Sequence, residues 1–349
     1  MSVYIDKAAQ ISIQQPLSNE WFTNPLSPAG RLCKFVRPDF KQYLSPAVSR
    51  RMGTALKCTL SSALACVPEE KRSLLDGILT GTGLGSIENT ENFLLAMLEG
   101  EDGLSPSNFM QSTHNTLGSQ VAIAFNCHGY NITYAHRGTS FDSALMNAVI
   151  KFRLNEFKSA LVNGVDEMTE KYFQLFDQIG YWKDRDVTIE DVRKATSSGT
   201  FAGENSVSLL LTDQPSDQPL CELCDTQLLY RPSDQRLKAC VEKMSLEHNV
   251  SRIDAVVVGN NGDKENDEEY RRLVQLLAPD ATQIIYKHLF GESFTMSGIG
   301  VYVGATCLKE KSVPSHITID NKALENPQAI LVLNHFKQLD YSITLLKSC

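Results

Sequence analysis

Three features of the chain predict an α/β fold made of two similar halves. Strand-like and helix-like segments alternate along it, separated by short turns carrying Gly or Asn. The segment TDQPSDQP, residues 212–219, is the stretch richest in Pro and Asp, and after it the strand and helix pattern restarts. The expected division is therefore an N-terminal half, 1–212, and a C-terminal half, 213–349. Third, the chain has 349 residues, 42% of them apolar, enough to bury a substantial core. That length suits one large α/β domain or two ordinary ones, since single cores stop growing at roughly 250–300 residues.

The elements follow in order. Pro46 to Val67, with Met52, Leu56, Leu60 and Leu64 on one face, predicts an amphipathic helix. LLDGILTGTGLGS predicts a buried strand entering a glycine-rich turn, with a helix from Glu88 to Leu98. NITYAH, the turn RGTS and the helix FDSALMNAVIKFRL repeat that unit, and SALVNGVDEM adds a strand and turn. GENSVSLLLTD is a strand before the junction. Beyond it come the strand CELCDTQLLYR, a helix from Asp234 to His248, the strand RIDAVVVGNNG and a helix from Asp267 to Leu277. VYVGATCL, AILVLNHF and DYSITLLK are the closing strand candidates.

Lys plus Arg is 33 and Asp plus Glu is 41, a net charge of -8, which argues against nucleic acid as a partner. A local exception runs from Arg31 to Lys57, where Arg31, Lys34, Arg37, Lys41, Arg50, Arg51 and Lys57 face a single acid, Asp39. No apolar run reaches the roughly 20 residues needed to span a bilayer. The N-terminal MSVYIDKAAQISI lacks the pattern of a signal peptide, so the expected location is the cytoplasm. Nine scattered cysteines then read as reduced core thiols. Cys221 and Cys224 form the one CxxC pair, and no matching second pair marks a zinc site, so neither a metal nor a cofactor is expected.

Two turns invite chemistry. Glycines in GTGLGS, between a strand and a helix, could admit a pyrophosphate, but the third glycine of the dinucleotide fingerprint is missing, and a tight structural turn is the preferred reading. In the second turn, a side chain just ahead of the helix FDSALMNA would face unpaired backbone donors, a setting that activates a cysteine. The chain offers His136 there, a poor acyl nucleophile.

Taken together, the runs SRRMGTALKCTLSSAL, ILTGTGLGSIENTENFL, FMQSTHNTLGSQVAIAFNCHGYNITYA and ALMNAVIKFRLNEFKSALVNGVDEM resemble, in order and spacing, the N-terminal half of β-ketoacyl synthases of the thiolase superfamily. The resemblance continues through FAGENSVSLLL, RIDAVVVGNNG, YKHLFGESFTMSGIG and ILVLNHF. It implies a thiolase-like, five-layered αβαβα fold. Family members use a cysteine and two histidines. By local motif, TYAHRGTS puts His136 in the cysteine's place, VVGNNGDKEND puts Asn260 at the first histidine, and KHLFGES puts Glu292 at the second while keeping Lys287. The glycine-rich terminal loop is reduced to NHFKQLD.

With the nucleophile and both imidazoles replaced, the resemblance implies a non-catalytic relative of the chain-length-factor kind, paired with an active ketosynthase and lining part of its acyl tunnel. The family's usual replacement for the cysteine is glutamine, so histidine sets this chain apart, toward divergent branches such as those accompanying aryl polyene pigments. Family likeness places a dimer interface along Asn115 to Asn131 and the strand leading to His136. Acyl carrier protein docking falls near Arg50 and Arg51, with a merely solvated basic face as the plainer alternative. Two other functions compete: a divergent condensing or acyl-transfer enzyme using His136 and Glu292 as base and acid, and a homodimeric ligand-binding relative.

Overall fold

The computed structural model describes residues 2–100 and 104–349. Ten strands dominate it: β1 (Tyr4–Ile11), β2 (Gly77–Gly81), β3 (Tyr130–Tyr134), β4 (Ser159–Asp166), β5 (Asn205–Thr212), β6 (Cys221–Tyr230), β7 (Ala255–Val258), β8 (Thr282–Ile285), β9 (Ala329–Phe336) and β10 (Asp340–Lys347). Their spatial order is β8-β7-β9-β10-β6-β1-β5-β4-β2-β3. The first five strands and the last five follow the same plan. In each, the second, third and fourth strands run parallel to one another, and the fifth lies antiparallel between the fourth and the first. The two sets meet where Tyr4 and Ile5 pair with Glu222 and Cys221.

Helices complete the layers. One face of the first set carries α1 (Thr54–Cys66) and α3 (Thr116–Phe125), sealed by Leu56, Leu60, Leu117 and Val121. The corresponding face of the second set carries α5 (Asp234–Glu247) and α6 (Lys264–Leu277), packed through Leu237, Val241, Leu273 and Val274. Between the sets lie α4 (Ser140–Arg153) and α7 (Met296–Lys309), whose Phe141, Phe152, Ile299 and Val303 share one cluster with strands of both halves. The result is the expected α-β-α-β-α layering. One further helix, α2 (Ile87–Glu99), follows the glycine-rich turn.

Several expectations need correction. VYVGATCL is not a strand but the second half of α7, in which every residue from Met296 to Leu308 is buried. A helix with a sheet on both sides has no polar stripe, so its period of 3.6 vanishes from the sequence and its β-branched residues mimic a strand. The helix expected over Pro46–Val67 is broken: Pro46–Ser49 is one short turn, and α1 starts afresh after Gly53, its extended N-cap. Strand β8 was not anticipated.

The glycine-rich turn after β2 has a protein partner in place of a ligand. The carboxylate of Asp166, at the end of β4, accepts hydrogen bonds from Gly83 N (2.8 Å), Leu84 N (2.9 Å) and Thr82 Oγ1 (3.2 Å). Those donors are the ones a phosphate would use. Their occupation makes the turn structural.

Candidate active site

Strands of both halves end at one cavity of about 260 Å³, lined among others by Gly138, Asn261, Lys287, Glu292, Phe294 and Phe336. Parallel strands leave their C-terminal loops at a common edge, which is where α/β sites form. Residues 286–293, after β8, supply a buried charged pair. Lys287 Nζ lies 2.8 Å from both carboxylate oxygens of Glu292, and both side chains are nearly fully buried. Asn261 Nδ2 donates to Glu292 Oε2 at 2.6 Å. Glu292 is thus a fully engaged carboxylate whose charge cancels that of Lys287. Removing one partner of such a buried pair costs about 3–5 kcal/mol.

The backbone makes this pair possible. Gly291 has φ 76°, and a Cβ there would stand 2.6 Å from Gly203 Cα. The two glycines let the chains touch, so that Gly203 N donates to Glu292 O (3.1 Å) and Glu292 N donates to Phe201 O (2.9 Å). Asn261 is set by Asp267 on α6, which accepts from Asn261 N (2.9 Å) and Gly262 N (3.2 Å). Burial pushes the Asp267 carboxyl up to about 6.

At the turn before α4 the residue that lines the cavity is Gly138, two positions beyond His136. Residues 137–139 form a single 3₁₀ turn, with Arg137 at φ 52°. This turn delivers Gly138 to the cavity and leaves His136 exposed, its ring 3.3 Å from Ser143 Oγ. His136 is therefore an exposed residue outside the cavity lining. A Cβ on Gly138 would stand 2.4 Å from the Phe336 ring, so the phenyl group occupies the space where a side chain would project. Asn334 Nδ2 holds the turn down through Gly138 O (2.9 Å) and also donates to Asp142 Oδ2 (3.1 Å). Asp142 is buried and also accepts from Ser297 and Ser342, and burial raises its carboxyl above the ordinary range.

Asn260 likewise does not line the cavity; its neighbour Asn261 does. His136 and Asn260 each stand one or two residues from a cavity-lining neighbour, inside loops where period-free sequence leaves register undefined. Sequence reasoning also missed His335, the single cavity-lining histidine among the described residues, which stacks on Tyr270 with ring centroids 4.4 Å apart. Burial lowers its pKa to about 4, so it is neutral at pH 7. The run NHFKQLD was the signal, read only as a decayed loop. Lys287 and Glu292 are brought together as their shared motif suggests.

No cysteine lines the cavity. Cys127 is buried beneath Leu75, donating to its carbonyl. The serine and threonine hydroxyls present are committed: Ser293 to Asn205 Oδ1 (2.6 Å), Ser297 to Asp142 Oδ2 (2.8 Å) and Thr200 to Asn261 O (2.8 Å). None of these bonds ends on an imidazole that could serve as a base. Arg50 and Arg51 lie apart from this cavity, exposed on a groove shared with Lys57, Asn92 and Ser107. No described helix is long and apolar enough to cross a membrane.

Paired five-strand units enclosing two buried helices define a thiolase-like fold, and comparison with known proteins agrees. Residues 28–189 match the family described as beta-ketoacyl synthase, N-terminal domain. Among solved structures it is similar to the ishigamide ketosynthase/chain length factor, with TM-score 0.85 and 15% identity over 100% of this chain and 99% of that one. A beta-ketoacyl synthase from Burkholderia phymatum STM815 gives TM-score 0.82 and 12% identity, covering 100% and 99%. AntDE:AntF, a type II PKS acyl-carrier protein in complex with its ketosynthase bound to the hexaketide, gives 0.81 and 12% with the same coverage. No curated protein matches the sequence.

Proposed function

We propose that this chain is a non-catalytic β-ketoacyl synthase homologue that acts, as a chain length factor does, as the partner of an active ketosynthase in cytoplasmic fatty acid or polyketide synthesis. The observation that carries the reading is Gly138: the turn that faces the cavity has no side chain, and Phe336 fills the space a thiol would need. A thioester cannot form without a nucleophile. The Lys287–Glu292 pair ties up the buried ammonium and sets a carboxylate where a hydrogen-bond donor to a developing enolate would be useful. The second reading, an altered acyl-transfer enzyme using His136 and Glu292, is disfavoured because His136 does not line the cavity that contains Glu292.

Two features support assembly. Strand β3 is an edge strand, paired only with β2 among the described residues, and Ile123 on the adjoining α3 is 70% exposed. The groove at Arg50, Arg51 and Lys57 offers positive charge to an acidic carrier protein. The two halves, 1–212 and 213–349, are read as two copies of one ketosynthase-like unit.

Incubating the pure chain with radiolabelled acyl-carrier thioester should leave the chain unlabelled, whereas co-expression with an active ketosynthase should give a heterodimer whose label sits on the partner. Label on this chain, or carbon dioxide released from malonyl-carrier by this chain alone, would overturn the proposal. Gly138→Cys should not restore labelling, because the added side chain meets Phe336.

A further inference from the structure

The CxxC pair is divided by the sheet. Cys221 joins the central cluster with α4 and α7, while Cys224 faces the outer layer with Leu237, Val241 and Met244 of α5. Side chains alternate along β6, so Glu222 emerges on the same face as Cys224. His248, the residue capping the C-terminus of α5, comes down onto that face. The carboxylate of Glu222, the thiol of Cys224 and the imidazole of His248 place their ligating atoms within 4.8 Å of one another. None is freely solvated: Cys224 is 3% exposed, the Glu222 side chain 13%, and His248 is half-buried.

We infer that Glu222, Cys224 and His248 form a binding site for a divalent transition metal, with zinc as the ion the donor set fits. Sulfur, imidazole nitrogen and carboxylate oxygen are the three donor types zinc accepts, at about 2.0–2.3 Å, and three protein ligands leave a fourth position for water. Ligating atoms around such an ion stand about 3.3–3.8 Å apart, so the trio closes by about 1 Å, within the reach of small side-chain rotations. The place already attracts positive charge. Lys347 Nζ lies 3.1 Å from Glu222 Oε2 and donates to His248 O at 3.3 Å. A metal competes with this ammonium for Glu222 and takes over its neutralising role.

Coordination is balanced simply. Burial pushes the Cys224 thiol up to about 12, so the sulfur binds as thiolate only by releasing its proton to solvent as the metal–sulfur bond forms. The metal ties the start of β6 to the end of α5. It shares no residue with the cavity at Gly138 and does not depend on the function proposed for that cavity.

Cobalt(II) titration of the full-length, metal-stripped chain tests the site. One equivalent should bind with a thiolate-to-cobalt charge-transfer band and the visible spectrum of a tetrahedral ion. Cys224→Ser should abolish the charge-transfer band, His248→Ala should weaken cobalt binding by about tenfold or more, and Cys349→Ser should leave both readouts unchanged. Absence of the band in the native chain, its survival in Cys224→Ser, or its loss in Cys349→Ser would overturn the assignment. Should Cys224→Ser fail to fold, the half-buried His248 gives an independent test: zinc should raise the melting temperature of the native chain but not of His248→Ala, and an equal rise in both would refute the site.

Discussion

The two outer edges of the sheet occupy equivalent places in the two repeats, yet they are finished differently. The C-terminal edge, β8, is covered by its own chain: Ile319 N donates to Gln283 O at 3.1 Å, and Thr318 bridges to Ile284. Arg193 clamps that cover, donating to His316 O (2.9 Å), Thr318 O (2.7 Å) and Asn321 Oδ1 (2.7 Å). The N-terminal edge, β3, has no such cover among the described residues, and Asn131 is exposed along it. An unpaired edge is a template for another strand, and proteins that need no partner protect it. The same unit has one edge closed by its own chain and one left open among the described residues, and the proposed pairing would use that asymmetry.

The largest effect is expected from releasing the closed edge. Arg193→Ala removes three charge-assisted hydrogen bonds and should destabilise the chain by about 3 kcal/mol, measured by urea unfolding. An unchanged midpoint would show that the cover holds by packing alone.

Acid should loosen the same edge. His288 lies beneath the cover, its Nε2 donating to His316 O at 3.2 Å, while its Nδ1 is buried without a partner. Burial, with help from the Arg193 and His316 charges, lowers its pKa to about 3. An unfolded histidine titrates near 6.5, so below that pH the unfolded state takes up a proton the folded state refuses. Stability from this group is complete above about pH 6.5 and is lost toward pH 3, at up to about 1.4 kcal/mol per pH unit. The native chain should therefore lose about 2–3 kcal/mol more than His288→Asn between pH 6 and pH 4, and parallel stability curves would exclude the histidine as the cause.

At the open edge the effect falls on assembly and not on folding. Ile123→Glu should weaken the proposed dimer by about 1–2 kcal/mol, roughly tenfold in the dissociation constant by sedimentation, with the melting temperature of the monomer unchanged. Smallest of all, His136→Ala should alter stability by less than about 0.5 kcal/mol, since the ring is exposed and makes one 3.3 Å contact. A larger loss would mean that the turn depends on it.

Much of this architecture was legible in the residues. GILTG, NITYAH, GENSVSLLLTD and AILVLNHF announced strands because apolar, β-branched runs ended in turn residues, and the ordered motifs carried the resemblance to β-ketoacyl synthases. Lys287 and Glu292 were visible because a motif of fixed spacing carried them. Illegible were the elements whose surroundings are uniform. The buried helix α7 has no wet face to set a period, and the four residues of β8 are too few to show alternation. Register inside loops was equally hidden, which is why Gly138 and Asn261, and not His136 and Asn260, line the cavity.

The sequence by itself determined the α/β alternation and the ordered motifs that resemble those of β-ketoacyl synthases, because these depend on residue identity and order along the chain. Tertiary structure alone decided that Phe336 closes over Gly138, that Glu292 is consumed by Lys287 and Asn261, and that Glu222, Cys224 and His248 meet. Each of those contacts joins segments whose separation closes only when sheets and helices pack, and short-range patterning holds no record of such distances.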